Sequence, residues 1–117
     1  MKRAIIGVIG VALMSGSALV SAQGDAAKIA AGKAAYDTQK CSTCHQIKGV
    51  GGKVSTALDG VGGKLSEADI KKWLTDPASM EAKLAKKPTM SMAGFMKTHK
   101  LTDADLDALV AYMLSLK

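Results

Sequence analysis

The sequence predicts a small all-α domain of three to five helices, and three observations carry that prediction. The last segment places Leu106, Leu109, Val110, Met113 and Leu114 at the i, i+3, i+4, i+7, i+8 spacing of a helix with one buried face. No run of β-branched residues alternates with polar ones downstream of the cysteine pair, so the signature of a half-buried strand is missing. The chain of 117 residues has room for one domain, and an aromatic fraction of 3% leaves its core short of apolar mass.

The first residues read as an export signal rather than as part of the domain. Met1-Lys2-Arg3 is a basic start, Ala4 to Met14 an apolar run, and Val20-Ser21-Ala22 a small-x-small cleavage site. The apolar run is shorter than the roughly 20 residues that span a bilayer, which disfavours an uncleaved anchor. Cleavage after Ala22 removes Lys2 and Arg3 but no acid, so basic residues fall from 16 to 14. Against 10 acids the net charge becomes 14 − 10 = +4, down from +6. The mature chain is expected to lack a membrane span and to need no nucleic acid.

Asp25 is placed to cap a first helix reaching Tyr36, with Ile29, Gly32 and Tyr36 on one face. A glycine inside a helix costs propensity, so Gly32 points to a second backbone passing close by. Next comes Cys41-Ser42-Thr43-Cys44-His45, two thiols and an imidazole within one turn. This is the spacing of c-type haem attachment: cysteines three apart share a side of the turn and reach two vinyl groups, and the adjacent histidine becomes the proximal iron ligand. Three rivals fit less well. A thioredoxin-like redox pair belongs beside a βαβ pattern that is missing here. A zinc site needs four ligands, and Cys41, Cys44, His45 and remote His99 match no usual zinc spacing. A disulfide between Cys41 and Cys44 would leave His45 unexplained and close too short a loop to stabilise much.

Beyond the motif, Gly49-Val50-Gly51-Gly52-Lys53 recurs as Gly60-Val61-Gly62-Gly63-Lys64. A phosphate loop fails at both copies, because Ile47 and Leu58 stand where its first glycine belongs and neither lysine precedes Ser or Thr. The glycines read as loops that let backbone lie close to a ring edge. Ser66 caps the next helix, Leu65 and Ile70 staple it, Ile70, Trp73 and Leu74 form its buried stripe, and Asp76-Pro77 ends it. Ser79 to Lys86 is expected as a short helix stopped before Pro88. Met90, Met92 and Met96 then crowd one loop. Clustered thioethers suit copper(I), but a copper site would leave the haem motif idle. His99, among Lys97, Thr98 and Lys100, reads as a solvated surface histidine. Thr102 caps the last helix, Leu101 staples to Leu106, and Asp103 and Asp105 sit at its positive end.

From about Asp25 to Lys117 the chain resembles a class I monohaem c-type cytochrome: a Cys-x-x-Cys-His after a short helix, a methionine far downstream, and a closing amphipathic helix. The resemblance implies a small cytochrome c fold wrapped around one covalent haem c, with residues 1–22 a cleaved signal peptide and 23–117 the haem domain. It implies that the first and last helices cross at Gly32 with Tyr36 and Tyr112 as an aromatic pair. It implies a carbonyl bonded to His45, for which Thr56 stands in a loop that lacks the family's Gly-Pro pair. It implies attachment through Cys41 and Cys44, axial ligation by His45 and a methionine, and a propionate contact from Trp73, for which core packing is the alternative. Pro88, Met92, Ala93 and Phe95 match the family's ligand loop best, so Met92 is the expected sixth ligand. Met90 is the alternative, with Met96 and His99 behind it.

The function expected is a periplasmic, monomeric electron carrier, not an enzyme, with His/Met ligation favouring the ferrous state. Its lysine-rich surface would dock to redox proteins bearing acidic patches. Two alternatives stand beside it: a haem-based module binding small ligands such as gases, which needs a displaceable sixth ligand, and an electron-transfer subunit of a larger oxidoreductase.

Overall fold

The computed structural model describes residues 17–117, with side chains described from residue 25. Most of the predicted signal peptide therefore lies outside the described residues. Among the described residues six helices follow one another: α1 (Ser17–Thr38), α2 (Val61–Lys64), α3 (Glu67–Thr75), α4 (Pro77–Glu81), α5 (Met92–Thr98) and α6 (Asp103–Ser115). A 3-10 turn over Cys41–Thr43 and two short strands, β1 (Gln46–Ile47) and β2 (Val50–Gly51), lie between α1 and α2. The architecture is all-α, as expected. The count exceeds three to five because the glycine-rich connection folds into one turn of helix and the methionine stretch into two.

Local signals account for most boundaries. Ser66 Oγ accepts the Asp69 amide at 3.2 Å and Thr102 Oγ1 the Asp105 amide at 3.1 Å, so both predicted caps form and satisfy donors that α3 and α6 would otherwise leave unpaired. Asp76 both ends α3 and caps α4, accepting the Ser79 amide at 3.4 Å, and Pro77 occupies the first helical position. The expected helix from Ser79 to Lys86 therefore starts earlier and stops at Glu81, because proline at a first position is pre-set for a helix rather than barred from it. α1 likewise begins upstream of Asp25, since alanine-rich sequence on both sides of that residue carries the helix through it.

The core sits where α1, α3 and α6 meet. Ala35 and Tyr36 of α1, Ile70 of α3, and Ala108, Leu109, Val110 and Met113 of α6 are buried, joined by Ile47 of β1. Leu109, 1% exposed, is the most enclosed side chain, in keeping with its central place on the predicted stripe. α1 packs chiefly along α6. At the crossing a Cβ on Gly32 would meet Ala108 carbonyl oxygen and stand 2.6 Å from Tyr112 Cβ. Only glycine fits there, and the close approach lets Tyr36 and Tyr112 meet edge to face, centroids 5.9 Å apart and planes at 68°.

Candidate functional site

The Cys-x-x-Cys-His segment leaves α1 through Lys40, whose positive φ of 61° reverses the chain and starts the 3-10 turn. Within it the amides of Cys44 and His45 both bond Cys41 carbonyl, at 3.3 and 3.1 Å. The two thiols are consequently held on one turn, unpaired and half-buried. Burial pushes the Cys41 thiol up to about 11, and nearby Asp37 adds to the rise.

The glycine-rich connection braces this turn from outside. Ile47-Lys48-Gly49-Val50 makes a tight hairpin with positive φ at both central residues, 50° and 78°, the geometry that joins two short strands without splaying them. The hairpin brings Gly52 N–H to Ser42 carbonyl at 2.8 Å, and the chain beyond brings Ser55 N–H to Cys44 carbonyl at 3.0 Å. A Cβ on Gly52 would strike the Thr43 carbonyl. These glycines thus admit backbone beside the motif's own backbone. The second copy of the pentapeptide does something different: its Gly62 amide bonds Leu116 carbonyl at 2.8 Å, fastening α2 to the end of α6.

His45 Nδ1 lies 2.7 Å from Thr56 carbonyl oxygen, the contact expected despite the absent Gly-Pro pair. A carbonyl only accepts, so Nδ1 carries the proton and Nε2 keeps its lone pair for a metal. Tyr36 Oη donates to His45 carbonyl oxygen at 3.3 Å, tying the α1–α6 crossing to the histidine.

Cys41, Cys44 and His45 share a cavity of about 350 Å³ with Leu74 of α3, Leu101 and Leu109 at α6, and Met90, Met92, Phe95, Met96 and His99 from the methionine segment. From Met92 that segment is a helix, not a loop: Ser91 caps α5 by accepting the Gly94 amide at 3.2 Å. Met92, Phe95, Met96 and His99 then fall at i, i+3, i+4 and i+7, which places three potential ligands on one face. Met92 and Met96 are half-buried, whereas Met90 is 55% exposed.

His99 is the residue that the sequence reading misplaced. It is half-buried in the cavity wall, its ring stacked on Phe95 at 3.7 Å and 6°, with Nδ1 2.9 Å from Phe95 carbonyl oxygen. The i, i+4 spacing from Phe95 carried that signal, but it shows only once the stretch is taken as helical. Trp73 is half-buried on α3 and does not line the cavity; its neighbour Leu74 does.

Two thiols, an imidazole with a free Nε2 and facing thioethers in an apolar cavity form a donor set that fits a covalently held porphyrin iron. The family model for cytochrome c matches residues 29–117. The chain belongs to the cytochrome c family. Searches of curated proteins and of solved structures returned no match. As a cytochrome c it binds iron in covalent haem c and serves electron transport between redox partners. Among the described residues no helix of this cytochrome is long and apolar enough to cross a membrane.

Proposed function

We propose that this cytochrome c is an exported, periplasmic, monomeric electron carrier in which His45 and Met92 would ligate the haem iron, and that it has no substrate chemistry of its own. The observation that carries this reading is the cavity that sets His45 and the half-buried Met92 among the same apolar walls. When bound, haem c supplies the one-electron ferric/ferrous couple. Cys41 and Cys44 hold it covalently. His45, its tautomer set by Thr56, would offer Nε2 to the iron, and Met92 would offer a neutral thioether, which favours the reduced state. Leu74, Phe95, Leu101 and Leu109 give the cavity an apolar wall, which would limit solvent access to the bound group and so tune its reduction potential. The small-x-small site at Val20-Ser21-Ala22 supports export and removal of residues 1–22.

The ligand test separates a carrier from a gas-binding module. The ferric holoprotein should show the weak far-red sulfur-to-iron charge-transfer band, and the ferrous form should resist carbon monoxide at neutral pH. Met92→Ala should remove the band. Combined with His99→Ala, because His99 shares the cavity, it should open the iron to carbon monoxide; Met90→Ala and Met96→Ala should leave both properties intact. Ready binding of carbon monoxide by the unaltered ferrous protein would favour the sensor. Loss of the band in Met90→Ala alone would keep the function and move the ligand two residues upstream.

A further inference from the structure

We propose that Glu81 is a positioning residue for the sixth ligand: it pins the first turn of α5 to the end of α4 and so holds Met92 in place. The proposal rests on Met92 as ligand. Glu81 is the last residue of α4, and its carboxylate reaches across the α4–α5 connection. Ser91 Oγ donates to Oε1 at 3.2 Å and to Oε2 at 2.9 Å, and Ala93 N–H donates to Oε1 at 3.0 Å. Met92 lies between the two residues so gripped. Ser91 Oγ also accepts Gly94 N–H at 3.2 Å, so the same hydroxyl caps α5 and links that cap to Glu81.

This is more than an incidental surface contact. A carboxylate at the C-terminal residue of a helix faces the negative end of the helix dipole, where a cation would be favoured. The amide of α5 supplies the compensating positive end. Lys83, Lys86 and Lys87 stand in the same connection, yet the carboxylate bonds a hydroxyl and an amide. Every residue from Ala82 to Met90 is exposed, so the chain leading to Met92 has little packing to restrain it. A thioether is a neutral, weak ligand, and an incoming molecule replaces it only if the segment that carries it swings away. Breaking the bonds to Glu81 is part of the cost of that swing.

The test uses ferric holoprotein with imidazole as competing ligand, titrated by loss of the charge-transfer band. Glu81→Ala should bind imidazole about tenfold more tightly than the unaltered protein, the size expected for losing hydrogen bonds to a charged acceptor. Its reduction potential should fall, while Glu81→Gln, which keeps one acceptor oxygen, should lie between. Glu67→Ala removes the same charge from α3 and should match the unaltered protein. Met92→Ala identifies the ligand: a band that survives it overturns the ligand assignment and this proposal together. A band lost in Met92→Ala, with unaltered imidazole affinity in Glu81→Ala and Glu81→Gln, overturns the role of Glu81 alone. A lower unfolding midpoint in Glu81→Ala with no change in imidazole affinity or potential would also overturn it, since that is what a purely structural contact would give.

Discussion

Gly32→Ala puts the helix crossing at the centre of the fold to a direct test. Adding one methyl brings a carbon to 2.6 Å from Tyr112 Cβ and 2.7 Å from the Ala108 carbonyl carbon, where ordinary contact begins at 3.4 Å. Ala108 belongs to the backbone of α6 and has no rotamer by which to yield, so the helices must part by roughly 1 Å in a close-packed interior. Such overpacking costs about 3 kcal/mol at the upper end of its usual range. Weakening the Tyr36–Tyr112 edge contact adds about 0.5 kcal/mol or more. Against this stands a gain of about 1 kcal/mol in helix propensity. The net loss, about 2–3 kcal/mol, should lower the unfolding temperature of the holoprotein by roughly 10–20 °C at this chain length. Gly63→Ala is the paired control, because a Cβ there meets nothing within 4 Å; it should leave stability unchanged or raise it. Thermal unfolding followed by far-ultraviolet circular dichroism reads both. Equal unfolding temperatures for the two variants would refute the reasoning, since helix propensity alone would then account for both.

Further expectations concern attachment, processing, docking and pH. Mass of the acid-denatured protein should exceed the polypeptide by one haem, and Cys41→Ser with Cys44→Ser should abolish the increment; haem extracted into organic solvent from the unaltered protein would refute covalent attachment. Protein purified from periplasm should begin at Gln23, and an intact mass that still includes residues 1–22 would mean the leader is retained. Ten lysines between Lys48 and Lys100 are all exposed, so the rate of electron exchange with an acidic partner should fall as salt rises. A rate independent of ionic strength would count against that docking surface. Burial pushes the Tyr36 phenol up from 10.0 to about 12. A folded value above the unfolded one means that its contribution is fully present below about pH 10 and is lost as pH rises towards about 12. Guanidinium unfolding across that window should therefore show a shallower decline in Tyr36→Phe than in the unaltered protein, and parallel declines would refute the assignment.

The haem motif, the caps at Ser66 and Thr102, the Gly32 crossing and the stripe of α6 were all legible in the sequence. Each depends on residues close in the chain or on a side chain with one conformational reason to be where it is. The Ser91 cap was legible in principle, yet the three methionines of the segment drew it towards a loop reading. That reading hid the face shared by Met92, Phe95, Met96 and His99, and sent His99 to the surface. The grip of Glu81 on Ser91 and Ala93 spans 10 and 12 residues, and no local pattern announces it.

The two copies of Gly-Val-Gly-Gly-Lys mark the boundary most clearly. Both begin on a glycine with positive φ, 78° at Gly49 and 73° at Gly60, so the turn itself belongs to the sequence. After it the copies diverge: Val50 and Gly51 extend into β2, whereas Val61 to Lys64 coil into α2. Glycine-rich backbone has too weak a preference to choose between the two, and every amide must find an acceptor. Beside the first copy stands Ser42 carbonyl, taken by Gly52; beside the second stands Leu116 carbonyl, taken by Gly62. Composition and spacing determined a helical haem protein with its attachment site, and only the tertiary packing decided what the identical segments became, because their partners differ: the haem-motif turn ten residues upstream for the first copy, and the end of α6 for the second.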